Sequence, residues 1–223
     1  MFGRMLVAIA LAAAAIPAAR GAGDEVVGCP ADSGAVAAAA AAVSDGTFTR
    51  PEAGVPLPKR TSCGLYATAQ DAYDMVKEAP GKVLFIDVRT PAELQFIGMP
   101  TLVDANVPVL LPASPPQWDA VNSTFKLDLN PKFVEGVDAG LARKGLTRDA
   151  PVILICQGGV RAARAANLLT QAGYAKVYTT IDGFEGDPAP DGPHKGERIV
   201  NGWRNAGLPW TTRLDRAKVY GLD

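Results

Sequence analysis

The stretch VILICQGGVRAARAANLL, Val152–Leu169, is where this chain declares its fold. Val152–Ile155 is a short, continuous apolar run, the pattern of a strand buried on both faces. Gln157–Val160 carries two glycines and reads as a tight loop. From Arg161 onward Ala162, Ala165, Leu168, Leu169 and Ala172 recur at helical spacing, and Gly173 supplies a stop. Cys156 therefore falls between the end of a strand and the start of a helix. At such a junction backbone N–H groups and the positive end of the helix dipole converge, a setting that favours an anion. Arg161 and Arg164 add fixed positive charge on the first turns. Free cysteine is often plain core, but a packing residue needs neither the two glycines nor the arginine at a fixed offset. The pattern predicts a nucleophile.

Working outward, the chain alternates strands with helices. Leu65–Ala67 is a candidate first strand, and Thr68 caps a helix through Ala69, Ala72, Tyr73 and Val76 that ends at Pro80-Gly81. Val83–Ile86 is a second buried run, so Asp87 emerges at its carboxyl end, the edge where open α/β sheets place ligands. Thr90, Pro91 and Glu93 spell a capping box at the next helix start. Asp104–Leu111 reads as one strand. Pro112–Leu129 reads as irregular, with Trp118 and Phe125 as its anchors on the domain surface. Phe133, Val134, Val137 and Leu141 mark a helix that stops at Gly145, and Val177–Ile181 is a last strand. This alternation predicts an α/β fold with a central parallel sheet and helices on both faces.

LFIDVRTPAEL (Leu84–Leu94), CQGGVRA (Cys156–Ala162) and AANLLTQAGYAKVYTTIDGFEG (Ala165–Gly186), with a weaker echo in GWRNAGLPW (Gly202–Trp210), resemble the rhodanese superfamily over about residues 61–212. The family pattern of Cys, two variable residues, Gly, one variable residue and often Arg is filled by Cys156, Gly159 and Arg161. The resemblance implies a single-domain sulfurtransferase needing no cofactor. Cys156 would carry a sulfane sulfur as a persulfide, taken from a small sulfur-containing anion such as thiosulfate and passed to cyanide or a thiol acceptor. It further implies that Gln157, Gly158, Gly159, Val160 and Arg161 cradle that sulfur, with Arg161 orienting the donor. Asp87 and Arg89 would line the opposite wall; the competing reading is that Asp87, Arg89 and Glu93 pair with one another to hold the loops together. Four residues separate Cys156 from Arg161, a shorter run than in Cys-loop phosphatases, which disfavours phosphoryl chemistry.

Departures from the family mark where this chain is particular. Gln157 stands where sulfurtransferases often carry Arg, so thiosulfate is expected either to bind weakly or not to be the physiological donor. IGMP (Ile97–Pro100) replaces the usual His-Ile-Pro-Gly run. A polar insert, DPAPDGPHKGERIVN (residues 187–201), precedes Trp203; it reads as a solvated loop, the alternative being that His194, Lys195 or Arg198 reaches the pocket mouth. Two other functions stay open here: a non-catalytic binding module, and a thiol-redox protein if Cys29 or Cys63 approaches Cys156.

Composition bounds the rest. A net charge of −1 with no basic run argues against a nucleic-acid partner. One histidine and three scattered cysteines leave no convincing metal site. Arg4, the apolar stretch Met5–Ala19 and small residues at Gly21–Gly23 spell a signal peptide over residues 1–23, too short for a stable membrane span. The expected location is the periplasm. VVGC (Val26–Cys29) superficially matches a lipoprotein box, but Asp24 and Glu25 separate it from the apolar core. Residues 24–60 read as an Ala/Pro-rich linker, 61–212 as the domain and 213–223 as a tail. In an oxidising compartment Cys29 and Cys63 either pair or remain separate, and pairing would leave Cys156 as the odd thiol.

Overall fold

The computed structural model describes Cys29 and residues 54–222. The signal-peptide segment and the alanine-rich tract at Ala35–Val43 lie outside the described residues. In chain order the elements are β1 (Tyr66–Ala67), α1 (Ala69–Glu78), β2 (Leu84–Asp87), α2 (Pro91–Ile97), β3 (Met99–Pro100), β4 (Ala105–Asn106) and β5 (Leu110–Pro112). They continue with β6 (Trp118–Asp119), β7 (Thr124–Phe125), β8 (Leu127–Leu129), α3 (Phe133–Arg143), β9 (Val152–Ile155), α4 (Val160–Gln171), β10 (Val177–Thr180) and β11 (Trp210–Thr211).

Five strands form one parallel sheet in the order β1-β10-β9-β2-β4. Its centre is β9, the strand that delivers Cys156, paired with β2 on one side and β10 on the other. Alternation along β9 feeds two cores. Val152, Leu154 and Cys156 face α3 and α4, packing on Val137, Leu141, Ala165 and Leu169. Ile153 and Ile155 face α1 and the chain after β10, packing on Met75, Phe85 and Trp203. The expected α/β architecture, a parallel sheet covered on both faces, is the one observed.

The helix starts are local and chemical. Thr68 and Thr90 each close a full capping box, with Asp71 and Glu93 respectively. Trp203 is fully buried, its ring centroid 5.4 Å from Phe85 and 6.1 Å from Tyr73. The C-terminal segment thus belongs to the core, and β11 pairs antiparallel with β3.

Two expectations need correcting. Asp104–Leu111 is not one strand: β4 pairs with β2, while β5 leaves the main sheet to pair with β8. Pro108 lies between them and has no N–H to offer a ladder. Pro112–Leu129 is not irregular, because β6 pairs with β7 and β8 returns along β5. Nor do Trp118 and Phe125 anchor it; they stay exposed, stacked edge-on at 5.7 Å.

The described residues just before β1 pack on the domain. Leu57–Lys59 forms a 3-10 turn against α4, and Lys59 is buried. Cys29 is disulfide-bonded to Cys63, so the Cys29 sulfur is not free for a lipid, and Cys156 remains the free thiol. Among the described residues no helix is long and apolar enough to cross a membrane.

A cross-link between residues 34 positions apart restricts the unfolded chain by about 3–4 kcal/mol in the loop-entropy account. Reduction of Cys29–Cys63 should therefore lower the urea midpoint. Cys29→Ser should reproduce that loss and make stability insensitive to reductant.

Candidate active site

Helix α4 begins at Val160 with Gly159 as its N-cap, a residue that has no side chain to cap with. The Cys156 sulfur takes that role. Sγ accepts hydrogen bonds from the N–H of Gly159 at 3.1 Å and of Ala162 at 3.3 Å. Two backbone donors and the positive helix end thus face the sulfur of Cys156, a residue that is 1% exposed. Gly159 adopts φ +97°, and a Cβ there would stand 2.4 Å from Ile181 O, so the turn admits glycine alone.

The loop is held from behind by the chain that follows β10. Phe184 N–H donates to Cys156 O at 2.8 Å, and the N–H groups of Glu185 and Gly186 donate to Gln157 O at 3.0 and 3.3 Å. Gly183, at φ +66°, permits this approach, since a Cβ on it would meet the Gln157 backbone at 2.6 Å. Lys59 closes the arrangement. Its Nζ donates to Ile181 O at 2.7 Å and to Asp187 at 2.6 and 2.8 Å, and its stem runs beneath Gly159. No local signal in the sequence marks Lys59, which lies in the stretch read as linker; its partners are more than a hundred residues away.

Arg161 is committed to Glu93. Nη1 and Nη2 fork onto Oε2 and Oε1, and Glu93 also accepts from the Thr90 N–H and hydroxyl. Burial pushes the Glu93 carboxyl up, but the bonds and charge of Arg161 and Thr90 outweigh it and hold the group at about 2. Burial likewise disfavours the Arg161 cation, and Glu93 more than offsets it, so Arg161 titrates above its ordinary range. The charges of Cys156 and Asp87 act on Arg161 in the same direction.

Asp87 and Arg89 are fully buried and bonded to each other. Arg89 Nε and Nη2 reach Asp87 at 3.0 and 2.6 Å, and Nη2 also donates to Gly98 O at 2.8 Å. The guanidinium lies 4.2 Å from the Phe184 ring centroid, and its Nη1 has no hydrogen-bond partner among the described residues. Asn106 Nδ2 donates to the carbonyls of both residues. The pair therefore ties the end of β2 to β4, Gly98 and the loop behind Cys156. This matches the bracing reading for Asp87 and Arg89, but Glu93 bonds Arg161 instead of joining them.

Gln157 and Arg161 line a cleft of about 890 Å³ beside the cysteine loop. Its far wall comes from the β5–β8 segment. Gly158 meets the polar insert: Arg198 Nη1 lies 2.9 Å from the position of its missing Cβ and donates to Gly186 O. The insert thus brings Arg198 against the loop. His194 pairs with Glu197 at 2.9 Å on the exposed surface, and Lys195 is exposed as well.

Glu93→Gln separates the charge of this pair from its shape. Because the folded value lies below the ordinary 4.5, the stabilisation is complete above about pH 4.5 and fades as pH falls toward 2. Wild type should exceed the variant by about 2–3 kcal/mol at neutral pH, the difference vanishing in acid when unfolding is followed against pH. Arg89→Met should cost about 3–5 kcal/mol by stranding the Asp87 charge, and Asp87→Leu/Arg89→Met should recover a large part of it, measured by the same denaturation.

Comparison with known proteins agrees with this geometry. The rhodanese-like domain family matches residues 68–187. An uncharacterized protein RC0915 of Rickettsia conorii is 30% identical over 139 residues, covering 62% of this chain and 90% of that protein. The thiosulfate sulfurtransferase GlpE of Tolumonas auensis is 44% identical over 41 residues, 18% of this chain and 39% of that protein. Among solved structures, Rv0390 from M. tuberculosis is 30% identical, with a TM-score of 0.46, over 66% of this chain and 96% of that one. The family model's match over residues 68–187, more than half of the chain, shows that the chain belongs to the rhodanese-like domain family.

Proposed function

We propose that this chain is a sulfurtransferase that carries sulfur on Cys156. The observation that supports it best is the pair of backbone N–H groups, from Gly159 and Ala162, aimed at the sulfur from the head of α4. In the reaction the Cys156 thiolate attacks the outer sulfur of thiosulfate or a similar donor. A new S–S bond forms, the donor's own S–S bond breaks, and sulfite departs with its electron pair. The persulfide anion left on Cys156 is the charge that the two N–H groups and the helix dipole stabilise. A thiolate or cyanide acceptor then attacks the outer sulfur and restores the Cys156 thiolate. No metal or cofactor enters the scheme.

Membership of the family and the short match to a protein named thiosulfate sulfurtransferase support the same reading. So does the pairing of Cys29 with Cys63, which leaves Cys156 without a resolving thiol and weakens the thiol-redox alternative. Gln157 offers a neutral amide where a cation would hold thiosulfate, and Arg161 is already paired with Glu93; inorganic thiosulfate is expected to bind weakly. We place the protein in the periplasm, on the apolar stretch Met5–Ala19 and on a disulfide suited to an oxidising compartment.

Intact-mass spectrometry of the purified mature chain tests both proposals. Incubation with a sulfane donor should add one sulfur atom, removable by cyanide and absent from Cys156→Ser. The same spectrum should show the chain cut between Ala19 and Asp24. No adduct with thiosulfate or any organic sulfane donor would leave the binding-module reading in its place.

A further inference from the structure

Residues 181–187 follow β10 and pass behind the cysteine loop, and one side chain ties both ends of that stretch. Its middle presses on the loop: the N–H groups of Phe184, Glu185 and Gly186 donate to the Cys156 and Gln157 carbonyls. Its first and last residues, Ile181 and Asp187, both bond Lys59 Nζ.

An ammonium suits this place. Nζ meets Ile181 O at 2.7 Å and the two Asp187 oxygens at 2.6 and 2.8 Å, which uses every proton it has in a residue that is 7% exposed. Without it a carbonyl and a carboxylate, both acceptors, are left side by side with no donor between them. Asp187 is fixed in turn by Asn201, whose Oδ1 accepts from the Asp187 N–H at 2.7 Å and whose Nδ2 donates to the carboxylate at 3.1 Å. The Lys59 stem completes the contact. Its Cδ lies 3.0 Å from where a Cβ on Gly159 would stand, and Gly159 is a residue whose N–H reaches the sulfur.

The segment that carries Lys59 is itself anchored. Val55 is buried and accepts from Arg60 Nε at 2.9 Å, Ser62 N–H donates to Asn167 Oδ1 on α4 at 2.9 Å, and Cys63 is bonded to Cys29. This segment precedes the span 68–187 that the family model matches, so the family assignment does not cover it.

We propose that Lys59 is a positioning residue for the sulfur chemistry. By tying Ile181 to Asp187 it keeps residues 181–187 against the loop, and so keeps the Gly159 N–H aimed at the Cys156 sulfur as that sulfur gains its persulfide. The segment ahead of the matched domain is thereby part of the catalytic unit. The effect on rate rests on the sulfurtransferase reading; the effect on the loop does not.

Two variants separate position from stability. Lys59→Met keeps the stem and strands the Asp187 charge, so it should lower the urea midpoint; Lys59→Met/Asp187→Leu removes both charges and should recover most of that loss. The loop should not recover with it. In both variants amide exchange at Gly159, followed by NMR, should be about tenfold or more faster than in wild type. Amides of Ile153 and Leu154 in β9 should keep their protection in the double variant. The maximal rate of Cys156 persulfide formation per folded molecule should fall about tenfold in both variants, with the half-saturating donor concentration unchanged. Wild-type exchange at Gly159 in both variants, or a wild-type rate where that exchange is faster, overturns the assignment. Faster Gly159 exchange in the variants of a protein that takes up no sulfur even as wild type upholds the hold on the loop and refutes the catalytic reading instead.

Discussion

A helix that begins on glycine needs something else to meet its first N–H groups, and here the sulfur of Cys156 does so. Gly159 cannot be exchanged for a capping residue, because its backbone lies on Ile181 and its φ is positive. The helix start and the sulfur's surroundings are therefore one interaction: removing the sulfur removes the cap, and moving the cap moves the sulfur. Placement of that junction at the end of the central strand, with pairing partners on both sides, makes it one of the best-held points of the molecule.

The remaining machinery keeps the junction from relaxing. The chain after β10 presses its backbone onto the Gln157 carbonyl, Lys59 ties that chain to Asp187, and the buried Asp87–Arg89 pair fixes the end of β2 alongside. Glu93 binds Arg161 from α2, so two helix starts meet through one ion pair. The ion pairs among these contacts are largely shielded from water. Each would cost free energy if its partner were lost, so together they hold the site in one geometry. The Arg161 charge is largely spent on structure.

Function and fold divide the chain unevenly. Sheet and helices give a rigid bed, while β5–β8 and residues 187–201 complete the surroundings of the cysteine loop. The first builds the far wall of the cleft, and the second brings Arg198 against Gly158. Loops carried on a fixed scaffold can change their surface without disturbing the core.

Sequence alone determined the buried strands, the Thr68 cap, the Thr90–Glu93 capping box, the strand–cysteine–helix junction and hence the α/β class. Each of these is written in neighbouring residues: continuous apolar runs, Thr-x-x-acid spacing, glycines after a cysteine. Tertiary structure alone decided that Glu93 binds Arg161, that Lys59 lies beneath the cysteine loop, and that Asp87 and Arg89 are closed off from water. It also decided that Cys29 pairs with Cys63 and that Trp118 and Phe125 stay exposed beside the cleft. Those outcomes depend on which distant surfaces meet once the sheet has formed. An arginine or a tryptophan carries the same local signal whether its partner is solvent, a carboxylate across the fold or a ligand, and only the packed chain tells these apart.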